Sequence, residues 1–161
     1  MIKNPPATES TVRRRAFEAW TVDLPAAFAE TFVAEDHYWH AYDEHRSVSL
    51  SSIVITEQGD PVSADRILER VEPLEGSPVD QTPPGLHGRA TTRAAPRFAK
   101  ASRILSGVLA TDGRVLLVTV TSDDPDWAMR VWLSIRSLPA PIEPSSTRGR
   151  SGTAARSRWA H

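Results

Sequence analysis

The sequence predicts an α+β domain, an antiparallel twisted sheet of about six strands with helices packed on it. Three observations predict it. Short segments rich in β-branched and aromatic residues recur along the chain. Two stretches alone combine a helical period with a start signal. Thirteen prolines are spread so that a long bundle or coiled coil has no room. At 161 residues, one domain burying about 70% of its unfolded surface is the expectation.

The elements follow in order. Residues 1–13 predict a disordered N-terminal arm, 14–138 the folded domain, and 139–161, rich in Pro, Ser, Gly and Arg, a disordered basic tail. A first strand is expected over 16–24, with Trp20, Val22 and Leu24 on one face and Pro25 stopping it. Strands over 32–42 and 47–56 follow, joined by a hairpin turn at Asp43-Glu44-His45-Arg46. Val62, Ile67, Leu68 and Val71 share one side of a helix that Ser63 caps. Four prolines within 73–85 predict a surface loop. Three strands over 86–95, 101–111 and 114–122 come next. Asp112-Gly113 between the last two favours a type I′ hairpin. The nearly unbroken apolar run Val115–Val120 predicts a strand covered on both faces. Asp124 as cap, with Pro125 in the first turn, starts a helix reaching Leu138, with Trp127, Val131 and Ile135 inward and Trp132 beside them.

The composition narrows the chemistry. With no cysteine there is no disulfide, no thiolate metal site and no cysteine nucleophile. There is no apolar run of membrane-spanning length, and the N-terminus lacks a signal-type apolar stretch, so the expectation is a soluble cytoplasmic protein. The net charge of −1 hides a segregation: residues 16–85 carry 14 acidic against 3 basic side chains, whereas 86–136 carry 4 against 8. Either the two segments pair across the sheet, or each presents a field to solvent.

The strand FEAWTVDLPAAF, the VSLSSIVIT segment and the closing GRVLLVTVTSDDPDWAMRVWLSI together resemble the PsbP-like family, including its DcrB-like branch, over about residues 16–138. The resemblance implies a layered α+β sandwich whose members are mostly binding subunits, adaptors or chaperones. It implies no catalytic residue.

Candidate sites are few. No serine sits in a nucleophile motif and no glycine-rich phosphate loop is present. His37, His40 and His45 cluster with acidic neighbours, which keeps a small enzyme or metal-binding protein as an alternative. On a straight strand, however, His37 and His40 point to opposite faces. Arg89, Arg93 and Arg97 share strand parity in a stretch free of acidic residues, 86–103, next to the proline-rich loop. These three are the expected partner-binding residues, facing an acidic protein. A nucleic-acid role through Arg148, Arg150, Arg156 and Arg158 is a further alternative. No cofactor and no resident metal are expected, and the main functional expectation is a non-enzymatic protein-binding module.

Overall fold

The computed structural model describes residues 9–95 and 102–139. Among these residues there are twelve strands: β1 (Thr11–Phe17), β2 (Trp20–Pro25), β3 (Ala29–Val33), β4 (Tyr38–Tyr42), β5 (Ser47–Val54), β6 (Thr56–Glu57), β7 (Asp60–Pro61), β8 (Ser77–Pro78), β9 (His87–Ala94), β10 (Arg103–Thr111), β11 (Arg114–Ser122) and β12 (Arg136–Ser137). Helix α1 spans Ala64–Arg70 and α2 spans Pro125–Ser134. The main sheet has seven antiparallel strands in the order β3-β4-β5-β11-β10-β9-β8. A second sheet, β1-β2-β12, lies over one face of it together with α2, and α1 covers part of the other face. The α+β class therefore holds, with a main sheet larger than the six strands expected.

Two clusters build the core. Alternation along the strands sends Trp39, Val48, Leu50, Leu105, Leu109, Leu116, Val118 and Val120 toward α2 and the β1–β2 hairpin, where Trp20, Val22 and Leu24 are fully buried. In α2, Trp127, Val131, Trp132 and Ile135 are buried as the spacing predicts. Trp132 lies over Gly107, where a Cβ would collide with its ring. Its indole N–H donates to Gln81 O at 2.9 Å. On the opposite face Val108, Ala110 and Val115 pack under Val62, Ala64 and Ile67. The two-sided cover expected for β11 stops there: Leu117 and Thr119 face solvent beyond α1.

Several expectations are corrected. Residues 16–24 form two strands, because the chain turns at Glu18-Ala19. Neither turn residue has positive φ, and a bulge between Arg15 and Phe17 restores the strand twist. The fold also starts earlier than residue 14, since Thr11 pairs with Pro25. The expected strand 32–42 is broken by a 3-10 turn over Ala34–Asp36 that ends on His37 in the left-handed region, φ 47°. The turn at 43–46 forms as predicted, with Asp43 Oδ1 accepting from the backbone N–H groups of His45 and Arg46.

At Asp112-Gly113 the hairpin is present, but only Gly113 has positive φ, so the turn is not type I′. Asp112 instead accepts from Ala64 N–H at the start of α1. The turn with two positive φ values is Gln58-Gly59, between β6 and β7. Helix α2 ends at Ser134, short of Leu138, because Ile135 turns extended and Arg136–Ser137 pair with β2. The proline-rich loop is tied to the sheet: β8 pairs with β9, and Thr91 Oγ1 donates to Glu75 O at 2.7 Å. The tail expected over 139–161 lies, beyond Pro139, outside the described residues. So does the arm before residue 9.

Candidate functional site

Of the three sequence-predicted arginines, the two among the described residues differ in what they touch. Arg89 and Arg93 share one face of β9, as their parity requires, opposite Val108 and Ile104. Arg89 is engaged, its Nη2 donating at 2.8 Å each to Val71 O, just past the end of α1, and to Leu68 O, which also accepts from Val71 N–H. Arg93 is half-buried beside Gly76, and Arg97 lies outside the described residues. A small depression of about 490 Å³ separates the 78–81 segment from the start of α2, with Arg103 and Asp126 at its rim.

The histidines also part. His37 sits at one end of β4 and His45 in the turn beyond the other end, while His40 projects from the sheet face that α2 does not cover. There His40 stacks between Tyr38 and Tyr42, with ring centroids at 6.0 and 5.1 Å, and its Nδ1 is 2.9 Å from Ser49 Oγ. Tyr38 Oη is also 2.9 Å from Ser49 Oγ, so the hydroxyl and the imidazole are held in a cross-strand network. Among the described residues no three His, Asp or Glu side chains come together as metal ligands.

A larger concavity lies where sequence reasoning did not look. The β1–β2 hairpin crosses the main sheet near the ends of β3, β4 and β5 and leaves a groove of about 880 Å³. The buried side chains of Ala16, Ala19 and Trp39 back its floor, and its exposed apolar surface comes from Phe32, Ile53 and Val54, with Phe17 beside them. Phe17 and Phe32 meet edge to face at 5.6 Å. Phe32 is nevertheless 54% exposed and Val54 68% exposed. Ser52 lines the groove with its hydroxyl already accepting from the Trp20 indole at 3.2 Å. Charges of both signs ring it: Arg15 and Arg114, with Glu18, Glu30 and Asp36. Glu30 is paired with Arg14 at 3.2 Å.

Local structure explains why this region stays open. Strand β3 is the last strand of the main sheet, pairs only with β4 among the described residues, and is exposed at all five positions. Strand β1 is likewise an edge, pairing only with β2 among the described residues. His37, also lining the groove, holds a left-handed backbone that costs about 1 kcal/mol or more outside glycine. Its carbonyl accepts from Ser52 N–H at 3.3 Å, which fixes the β4 end against β5. The arrangement can therefore bury apolar side chains, pair charges at a rim and offer main-chain hydrogen bonds along an edge. The signal that could have located it is Phe32-Val33 next to Ala34-Glu35-Asp36, apolar residues in a segment without buried positions.

No family model matches the chain, and no curated protein matches it. Among solved structures it is similar to a crystal structure from Bacteroides thetaiotaomicron, with 10% sequence identity and a TM-score of 0.48. That alignment covers 83% of this chain and 53% of the other, so the chain spans about half the length of that protein. Any functional reading rests on the geometry of this chain itself.

Proposed function

We propose that the protein is a non-enzymatic binding module, adaptor-like or chaperone-like, that takes an extended segment of another protein along the groove between β1 and the ends of β3–β5. The observation that carries it is Phe32, more than half exposed on an edge strand above a groove with an apolar floor. Single exposed apolar residues are ordinary on a surface. Here Phe17, Phe32, Ile53 and Val54 border one concavity, and two sheet edges without a further strand among the described residues bound it. A segment in β conformation would satisfy an edge and place alternate side chains in the groove. The PsbP-like resemblance points to the same class. The partner surface moves away from Arg89 and Arg93 because Arg89 already closes the end of α1.

The test is a library of short extended peptides with apolar residues at alternate positions, screened against the full chain and mapped by amide chemical-shift changes. Bound peptides should shift residues 15–19, 29–39 and 52–54, and Phe32→Glu should weaken them about tenfold or more while changing the melting temperature little. Binding that shifts other surfaces, or survives Phe32→Glu unchanged, overturns the reading.

A further inference from the structure

We infer that the same groove accepts this chain's own segment 140–161, with Trp159 as its anchor, so that the segment competes in cis with any partner. This rests on the groove being a segment-binding site, as proposed above. Three stretches of the chain lie outside the described residues, and where each joins the fold separates them. Segment 1–8 joins at Glu9, which is bound to Arg46 at 2.7 Å in the β4–β5 turn, at the opposite end of β4 from His37 and the groove. Segment 96–101 joins where Ala95 N–H donates to Ser102 O, at the β9–β10 end of the sheet, four strands from β3. Segment 140–161 follows Leu138, whose N–H donates to Ala19 O at 2.7 Å. Ala19 and its neighbour Glu18 both line the groove. The segment therefore starts at the lip of the concavity.

Reach and chemistry agree with that origin. Trp159 lies twenty positions beyond Pro139. A chain of that length has a root-mean-square span of about 25 Å, enough to return over the groove. Trp159 is the one Phe, Tyr or Trp residue of 140–161, and the groove offers Phe17, Phe32, Ile53 and Val54 as its apolar counterpart. Arg156 and Arg158 precede it, in a segment whose single acidic residue is Glu143. Glu18 and Asp36 stand at the groove's rim to meet them. Arg15 and Arg114 share that rim, so the anchor rather than the charge supplies the attraction, and tethering makes even a weak site effective through a local concentration of about a millimolar.

The test uses the full chain. With Trp159→p-benzoylphenylalanine, photolysis should give crosslinks within one molecule to residues 15–19, 30–39 or 52–54. Crosslinks confined to other surfaces, or only between molecules, overturn the inference. As a second reading, a dye-labelled peptide of sequence 140–161 should bind the Trp159→Ala chain about tenfold more tightly than the unaltered chain, because the groove is vacated. Equal affinity for the two, or no binding to either, also overturns it. The peptide library separates the two claims. Library binding at the groove without a crosslink from position 159 removes cis occupancy and leaves the partner reading intact. A groove crosslink with no library binding even to the Trp159→Ala chain, whose groove is vacated, removes the partner reading and leaves cis occupancy alone.

Discussion

Arg46 shows how much one side chain can organise. Its guanidinium lies 4.8 Å from the centroid of the Trp127 ring and 5.2 Å from that of Phe28, and it bonds Asp43 and Glu9 at 2.7 Å each. The edge of α2, the β4–β5 turn and the first described residues thus converge on one cation. Both carboxyl groups are held below their ordinary range. For Glu9 the largest cause is the Arg46 hydrogen bond. For Asp43 burial pushes upward and is outweighed by hydrogen bonds from the Arg46 side chain and the His45 and Arg46 backbone. A carboxyl with a lower pKa folded than unfolded contributes stability above its unfolded value and loses it as pH falls through the folded value. Stability should therefore decline as the solution is acidified below roughly pH 4. Arg46→Ala should cost about 1–3 kcal/mol at neutral pH, a range kept low because Glu9 is half exposed, and it should flatten that decline. Urea titrations at pH 7 and pH 3 check it. Parallel pH slopes for the two proteins would show that the network is not coupled to folding.

Helix α1 has seven residues, far too few to hold a helix unaided. Tertiary bonds close it at both ends. Ser63 caps the N-terminus, Asp112 accepts from Ala64 N–H, and Arg89 donates to the Leu68 and Val71 carbonyls. The helix, its cap and its inward face were legible in the sequence because period, Ser63 and Asp65 agree. The three bonds that tie it to Arg89 on β9 and to Asp112 in the β10–β11 turn were not, since they join residues 18 to 48 positions apart. The same limit explains the hairpin at Glu18-Ala19, which carries none of the usual turn residues. It also explains the early end of α2, where pairing of Arg136 with Thr21 overrides a continuing apolar stripe. If Arg89 serves α1, Arg89→Ala should speed amide exchange across 64–71 about tenfold and lower global stability by only about 0.5–1.5 kcal/mol. Unchanged exchange in α1, with a loss of partner binding instead, would return Arg89 to the surface role its parity first suggested.

Among the described residues of the molecule as a whole, no Arg or Lys of 86–136 pairs with an acidic side chain of 16–85, and His87 with Asp65 at 3.7 Å is the one acid–base contact between the two segments. Asp23, Glu30 and Asp43 pair instead with Arg13, Arg14 and Arg46, in the basic N-terminal strand and the β4–β5 turn. Where β5 meets β11, the face that α2 leaves uncovered sets Ser47 opposite Thr121 and Ser49 opposite Thr119, hydroxyl against hydroxyl. The groove was illegible for a related reason: its lining comes from residues 15–19, 30–39, 52–54 and 114, which no local pattern links. The fold class was legible because alternation and helix caps act over a few residues. The two core clusters, however, share strands. On β10, Leu109 faces α2 and Val108 faces α1, both fully buried. A rigid strand with both faces packed should make the clusters one cooperative unit. Trp20, Trp39, Trp127 and Trp132 all belong to the larger cluster, so their fluorescence reports that side alone, whereas circular dichroism follows the sheet as a whole. Val108→Ala, in the smaller cluster, should lower stability by roughly 2–4 kcal/mol and move the fluorescence and dichroism midpoints in urea together. A dichroism midpoint that falls while the fluorescence midpoint stays would mean that α1 and its cluster unfold apart from the rest.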